Sequence, residues 1–137
     1  MGISRRGFVA AAAGIGLSSI AAPVKAGDGP IRIGLLTIKT GPLASGGIDM
    51  ERALTMFLKE RDYVMSGRKV ELVTADTAGV PATARSKTQE MVEKNNVHCL
   101  IGPLAAFEAL AIDDYIRQTK MPTLSVAAAE EIGRAHV

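Results

Sequence analysis

The side chains best suited to nucleophilic or metal chemistry are few in this sequence, and they form no recognisable pattern. His98 and Cys99 are adjacent, so in a strand they would point to opposite faces and could not easily bind one metal ion. Ser45 and Ser125 have no histidine placed to activate them as nucleophiles. Because the chain has a single cysteine, it contains neither an internal disulfide framework nor a CxxC motif for zinc or redox chemistry.

The acidic residues and the phosphate-binding motifs lead to the same conclusion. Asp113 and Asp114 are neighbours on a predicted helix and diverge by roughly 100°, so they do not form a catalytic pair. Asp76 follows a predicted strand, where we expect it to stabilise a turn rather than act as a base. A Gly-Lys-Ser/Thr phosphate loop is absent. We therefore predict a protein that is not an enzyme and that uses neither a metal ion nor a cofactor.

The elements that would position these residues alternate between strands and helices. Apolar, β-branched runs predict strands, and apolar residues at helical spacing predict helices. The strands are predicted at residues 31–37, 69–75, 98–101 and 122–126, and the helices at about 48–62, 81–95 and 107–119. This alternation with short loops predicts an α/β fold in which a parallel sheet carries helices on both faces.

The helical spacing also predicts which side chains face the sheet. The predicted inward residues are Met50, Ala53, Leu54, Phe57 and Leu58 in the first helix, Ala84, Thr88, Met91 and Val92 in the second, and Phe107, Leu110, Ala111 and Ile116 in the third.

The loops after the predicted strands are the expected place for a ligand, because ligands bind at the carboxyl ends of strands in open parallel sheets. These loops span residues 38–47, 76–80, 102–106 and 127 onward, and they are rich in Gly, Ala, Ser and Pro. Residues 102–106 lead directly into the third helix, whose free N–H groups and positive dipole end suit a carboxylate. Small side chains let a ligand approach the main chain closely. The pattern favours a binder of small anions.

The first 26 residues have the organisation of a secretory signal, with a charged start, an apolar run and a small residue at the end. The apolar run of about 15 residues is shorter than the ~20 that span a bilayer. Arg5 and Arg6 lie in the segment SRRGFV, which matches the twin-arginine export pattern. We expect export to the periplasm and cleavage after Ala26.

The last seven residues, 131–137, read as the conceptual translation of a common sequencing adapter. We therefore expect the native sequence to end near Glu130, the chain to be a gene fragment, and the domain to occupy residues 27–130. That segment has 12 basic and 13 acidic residues, so the +2 charge of the whole chain comes from its ends. With no basic patch, 4% aromatic residues and no Trp, the sequence predicts no nucleic-acid partner.

Five segments in this order resemble the branched-chain amino-acid type of ABC-transporter substrate-binding protein. They are IRIGLL (31–36), TGPLA (40–44), GRKVEL (67–72), PATA (81–84) and LIGP (100–103). The resemblance covers residues 31–130 and implies a two-lobed periplasmic binding protein of type I, which closes on its ligand by a hinge motion. The chain would supply the first part of the amino-terminal lobe.

The resemblance also implies where a ligand would bind. In amino-acid binders a serine after the third strand holds the ligand carboxylate, and that position is Ala106 here, between Ala105 and Phe107. The stretch after the fourth strand supplies main-chain groups and a hydroxyl. Here Ala127 lies in this stretch and Ala129 replaces the hydroxyl residue.

The aromatic residue that covers an aliphatic ligand in the first loop of those proteins aligns with Gly46, next to Ser45. These departures disfavour leucine or valine as the ligand. The segment GPLAAFEA (102–109) is more similar to family members associated with aromatic acids.

Two functions remain compatible with the sequence. The leading interpretation is the extracytoplasmic solute-binding component of an ABC importer, which would bind a carboxylate-bearing small molecule and deliver it to a membrane permease. The alternative is the ligand-sensing lobe of a receptor or regulator with the same fold. A second lobe followed by a stop would favour transport, whereas a transmembrane segment and a signalling domain would favour a receptor.

Overall fold

The computed structural model describes residues 29–127, which form five strands and three helices. The predicted signal with Arg5 and Arg6, the candidate Ala129 and the predicted tail 131–137 lie outside the described residues. In chain order the elements are β1 (Ile31–Thr37), α1 (Ala44–Lys59), β2 (Val64–Met65), β3 (Arg68–Asp76), α2 (Pro81–Glu93), β4 (Cys99–Ile101), α3 (Ala106–Thr119) and β5 (Thr123–Leu124).

The strand β1 is the centre of a five-stranded sheet with the order β2-β3-β1-β4-β5. It pairs in parallel with β3 on one side and β4 on the other, and β5 adds in parallel to β4. The predicted parallel sheet is therefore confirmed for these four strands.

The short strand β2 was not predicted from the sequence, and it pairs antiparallel with β3. Ser66 and Gly67, between the two strands, both have positive φ angles (51° and 76°), as a tight hairpin turn requires. A strand of two residues is too short to produce the alternating pattern that identifies longer strands. The sheet is thus mixed at this edge.

Alternate side chains of the strands enter hydrophobic clusters on opposite faces of the sheet. The cluster beneath α2 and α3 contains Leu36, Ala84, Met91, Val97, Leu100 and Ile112, and the cluster beneath α1 contains Ile33, Leu58 and Val70. Helices therefore cover both faces, as predicted. In α2 the predicted inward residues are also confirmed, since Ala84, Thr88 and Met91 are buried and Val92 packs against the cluster.

The start and the inward face of α3 differ from the prediction. The helix begins at Ala106, and its buried residues are Glu108 and Ile112. Phe107 and Leu110 were predicted to face the sheet but are 47% and 79% exposed. Ile116 packs against the cluster beneath α2 and α3 as predicted. Near the start of the helix the inward stripe was offset, because a charged residue, Glu108, occupies an inward position.

The start and the inward face of α1 also need correction. The helix begins at Ala44 instead of residue 48, so its first turn includes Ser45 and Gly46, which were predicted to lie in a loop. Ala53 and Phe57 were predicted to face the sheet but are exposed. The Phe57 ring is covered by the guanidinium of Arg61, 3.7 Å from the ring centroid.

Two glycines let the main chain pack closely around the carboxyl end of β1. A Cβ atom at Gly47, in α1, would lie 1.8 Å from the carbonyl oxygen of Ile38. A Cβ atom at Gly102, just after β4, would lie 2.1 Å from the carbonyl oxygen of Leu36. Both distances are far below van der Waals contact, so only glycine fits at these positions. The starts of α1 and of the loop before α3 are thereby fixed against β1.

Replacing Gly47 by alanine tests this packing. We expect Gly47→Ala to lower the free energy of unfolding of the complete gene product by about 3 kcal/mol or more, because main chain must shift to admit the methyl group. The neighbouring substitution Gly46→Ala is the matched control. Its Cβ would lie 3.6 Å from the Leu104 side chain, an ordinary contact, and alanine favours the helix by up to ~1 kcal/mol. Thermal unfolding that ranks the two variants equally would contradict the prediction.

Candidate ligand-binding site

A crevice of about 250 Å³ lies at the carboxyl edge of the sheet, where residues that follow β1, β3 and β4 meet. It is lined by Ile38, Thr40, Pro42, Leu43, Ala78, Gly79 and Phe107. None of these side chains is charged, and Thr40 supplies their one hydroxyl group. The lining suits a ligand with an apolar body and few polar groups. Apart from Phe107, none of the lining residues was singled out from the sequence, although their loops were.

Ser45 and Gly46 are exposed on the first turn of α1. Gly46 faces the loop before α3, since a Cβ atom there would contact the Leu104 side chain. The structure therefore brings the first predicted loop next to the third, as the sequence analysis expected. A glycine at this point leaves room that a larger side chain would fill.

Ala105, Ala106 and Phe107 form the amino-terminal end of α3. Ala105 is buried at the N-cap position, Ala106 is half-buried, and Phe107 lines the crevice. The carbonyl oxygen of Ala105 accepts hydrogen bonds from the N–H groups of Glu108 (3.2 Å) and Ala109 (3.1 Å). Within residues 29–127, the N–H groups of Ala106 and Phe107 have no hydrogen-bond acceptor. These two donors lie at the positive end of the helix dipole.

Ala127 lies on the chain that leaves β5 at the same edge of the sheet. It is 5% exposed, and its N–H donates to the Ser125 hydroxyl at 3.4 Å. The N–H of Gly102 donates to the carbonyl oxygen of Leu124 at 2.9 Å, which holds the exits of β4 and β5 together. The structure thus places Ala127 near the carboxyl ends of the strands, whereas the candidate Ala129 is outside the described residues.

Asp76 ties the loops after β1 and β3 together, which confirms its predicted role in a turn. Its carboxylate accepts hydrogen bonds from the N–H groups of Lys39 (2.8 Å) and Ala78 (2.9 Å) and from the Thr40 hydroxyl (3.0 Å). Burial raises the pKa of Asp76, but these hydrogen bonds and the charge of Lys39 outweigh that effect, so its pKa lies below the ordinary value. Asp76 therefore holds the crevice wall as a carboxylate at neutral pH.

Lys39 is paired with another residue of the first loop region. Its ammonium group lies 3.3 Å from a carboxylate oxygen of Glu51 on α1. Because this cation is already paired, the main-chain N–H groups of α3 are the better candidate for binding an anion in this part of the site.

Glu108 was missed by the sequence analysis, although it is the first acidic residue of α3. Its side chain is entirely buried, and Oε2 accepts the N–H of Ala105 at 3.4 Å. A Glu three residues after an N-cap position is a familiar capping signal, and that signal could have identified it. Ala105 has no side-chain oxygen, so the reciprocal hydrogen bond of a capping box cannot form.

Other chemistry finds little support in the part of the chain that the structure describes. Among residues 29–127, no three His, Cys, Asp or Glu side chains are placed to hold a metal ion. Burial raises the pKa of the Cys99 thiol, which packs with the cluster beneath α1. His98 is exposed, and its Nδ1 accepts the N–H of Arg32 at 3.0 Å. None of the described helices is long and apolar enough to span a bilayer.

Comparison with known proteins gives a consistent result. A family model described as periplasmic binding protein matches residues 30–136. Among curated proteins, no sequence matches the chain significantly. Many solved structures match, and those described below have TM-scores between 0.68 and 0.70. These matches confirm the family resemblance and the partial type I fold that the sequence motifs implied.

Three solved structures illustrate the similarity. An ABC transporter substrate-binding protein from Sphaerobacter thermophilus is 38% identical, with a TM-score of 0.69 over 72% of this chain and 27% of its own. A solute binding protein of an ABC transporter from Rhodopseudomonas palustris BisB5, in complex with 3,4-dihydroxy benzoic acid, is 27% identical, with a TM-score of 0.70 over 73% of this chain and 28% of its own. A solute binding protein from R. palustris in complex with benzoate is 25% identical, with a TM-score of 0.68 over 73% of this chain and 28% of its own. The chain thus spans little more than a quarter of the length of these relatives.

The hydrogen bonds of Asp76 predict how stability depends on pH. Because its folded pKa is lowered, Asp76 stabilises the fold above the unfolded value of about 3.9, and this contribution is lost as the pH falls through the folded pKa. We expect Asp76→Asn to lower the melting temperature of the complete gene product at pH 7 and the difference to shrink below about pH 4. Asp114→Asn, on an exposed position of α3, is the matched control and should have no such effect. A difference in melting temperature between Asp76→Asn and the unsubstituted protein that stays constant down to about pH 2 would contradict the lowered pKa of Asp76.

Proposed function

Because the chain belongs to the periplasmic binding protein family, we propose that it is the first part of the amino-terminal lobe of an extracytoplasmic solute-binding protein. The protein would bind a small carboxylic acid, an aromatic acid in particular, for an ABC importer. Its activity would be capture and delivery of the ligand to a membrane permease rather than catalysis. Similar proteins of known structure are described as components of ABC transporters, which supports this role.

The observation that carries the proposal is the junction of the uncharged crevice with the start of α3. The ligand carboxylate would bind the free N–H groups of Ala106 and Phe107, where the helix dipole favours negative charge. Hydrogen bonds to an ionised acceptor are roughly twice as strong as neutral ones, so two such donors suffice to orient the acid. The apolar part of the ligand would then lie along Pro42, Leu43 and the Phe107 ring.

The side chains around this position favour a bulky apolar acid over a small amino acid. The family resemblance aligns Ala106 with a serine of amino-acid binders, so the pocket would have more room and less polarity at this position. A half-exposed Phe107 ring offers a surface on which an aromatic ligand can stack. Two of the similar proteins have dihydroxybenzoic acid or benzoate bound, which supports this ligand class.

The proposed role requires export, and the amino-terminal sequence supplies a signal for it. Residues 1–26 would direct the protein through the twin-arginine route, with cleavage after Ala26 and release into the periplasm. Residues 27–130 would form the domain segment, and residues 131–137 would be non-native.

A membrane permease would be the partner of this protein. The adjacent genes would be expected to encode the permease and an ATPase.

Calorimetric titration of the complete gene product tests the ligand class. We expect benzoate and 3,4-dihydroxybenzoate to bind more tightly than leucine, because Ala106 would replace the serine that holds the carboxylate in amino-acid binders and the lining of the crevice is mostly apolar. Tight binding of leucine with no binding of either aromatic acid would refute the ligand class.

The substitution Ala105→Ser tests the position of the carboxylate. A serine at the N-cap would accept the N–H of Phe107 or Glu108, and such caps stabilise helices by about 1 kcal/mol. We therefore expect a higher melting temperature together with about tenfold weaker binding of benzoate, because the serine competes for a donor that the ligand needs. Val80→Ser is the matched control, since Val80 is the uncapped N-cap residue of α2 and does not line the crevice. It should raise the melting temperature without changing affinity. Unchanged affinity of Ala105→Ser for benzoate would show that the ligand carboxylate does not bind the N–H groups at the start of α3.

Replacing Arg5 and Arg6 by lysine tests the export route. The twin-arginine receptor reads the arginine pair as an address, so the lysine variant should accumulate as uncleaved precursor in the cytoplasm. Cell fractionation and immunoblotting would measure this distribution. Normal periplasmic accumulation of the double variant would show that another route exports the protein.

A further inference from the structure

The buried side chain of Glu108 is poorly explained by its contribution to stability. It is 0% exposed, and its Oε1 atom has no hydrogen-bond partner among the described residues. None of the salt bridges of residues 29–127 includes Glu108. A buried acceptor without a partner costs free energy of folding. The Oε1 atom therefore does not contribute to the stability of the fold.

The second carboxylate oxygen of Glu108 makes a contact that bears on the ligand site. Oε2 accepts the N–H of Ala105, while the carbonyl oxygen of Ala105 accepts from the N–H groups of Glu108 and Ala109. Both polar main-chain groups of Ala105 are thus held by the first turn of α3. Ala106 and Phe107 follow directly in the chain, so the two free N–H groups adjoin this anchored residue.

We propose that Glu108 is a positioning residue for ligand binding. It holds Ala105 against α3 in the ligand-free protein, so that the N–H groups of Ala106 and Phe107 are already oriented when a carboxylate arrives. Glu108 is sealed from the crevice and does not contact the ligand. This preorganisation strengthens binding, because less conformational entropy is lost when the ligand binds. The inference rests on the proposed function, because it concerns the same donors.

A purely structural role and a positioning role predict different results for Glu108→Met. Methionine has a similar size but offers no comparable acceptor, so the substitution removes both the unpartnered oxygen and the contact with Ala105. If Glu108 only stabilises α3, the melting temperature should fall and affinity should stay the same. If Glu108 positions the donors, affinity should fall, whatever the change in melting temperature.

The test measures melting temperature and benzoate affinity in the complete gene product for Glu108→Met and Glu108→Gln. We expect benzoate to bind at least tenfold more weakly to Glu108→Met. Binding to Glu108→Gln should stay within threefold of the unsubstituted protein, since the amide oxygen still accepts from Ala105. Thr88→Val is the control for stability, because it removes a buried hydrogen bond to Ala84 in α2 (2.7 Å) and should lower the melting temperature without changing affinity. Unchanged affinity in Glu108→Met would overturn the inference.

Amide hydrogen exchange in the unsubstituted protein tests the same inference if Glu108→Met does not fold. We expect the amide of Ala105 to exchange slowly without ligand, and those of Ala106 and Phe107 to become slow only when benzoate is added. Exchange of Ala105 as fast as that of Ala106 in the ligand-free protein would overturn the inference while leaving the proposed function intact. Failure of every carboxylic acid to bind would instead overturn the proposed function, and the ligand role of Glu108 with it.

Discussion

The rest of the structure depends on the close main-chain packing around the carboxyl end of β1. A Cβ atom at Gly47 or Gly102 would collide with the carbonyl group of Ile38 or Leu36, so no side chain fits at either position. The buried hydroxyl of Thr37 donates to the carbonyl oxygen of Gly47 at 2.8 Å, and Thr77 donates to that of Thr37 through both its N–H (2.9 Å) and its hydroxyl (3.2 Å). One strand end thus fixes the start of α1 and the exits of β3 and β4. These contacts use two glycines, main-chain groups and two buried threonine hydroxyls, so the loops meet at one edge without help from the side chains that line the crevice.

The same packing determines where this edge can accept negative charge. The N–H groups of Lys39 and Ala78 are already bonded to Asp76, and that of Val80 is bonded to the carbonyl oxygen of Thr77. These donors of the loops after β1 and β3 are therefore used in hydrogen bonds within the wall of the crevice. The N–H groups of Ala106 and Phe107 have no hydrogen-bond partner in the described part of the chain, and they lie at the positive end of the α3 dipole, where Phe107 lines the crevice. The start of α3 can therefore accommodate a carboxylate at this edge.

The sequence predicted the alternation of elements well, because long periodic segments such as β1, β3 and α2 carry clear patterns. It predicted the loops of the crevice for the same reason, since they follow from the strand order. It failed at β2, which is too short for a pattern, and on α3, where the inward residue is a glutamate. A rule that assigns charged residues to the surface must fail at Glu108, because that side chain is buried through a contact with the main chain of Ala105. Such a contact leaves no trace in hydrophobic periodicity.

In a site that binds its ligand through main-chain donors, affinity and selectivity can depend on different groups, the main chain and the lining side chains. In the proposed site the N–H groups at the start of α3 belong to the main chain, so a substitution at Ala106 would leave these donors in place. The side chains that line the crevice, Leu43 and Phe107 among them, would then select the rest of the ligand by size and polarity. Such a separation would let one fold bind different carboxylic acids, such as the benzoate and 3,4-dihydroxy benzoic acid bound by two similar proteins. It would also allow the alanine at position 106, because losing a serine hydroxyl removes one hydrogen bond while the helix end would still hold the charge.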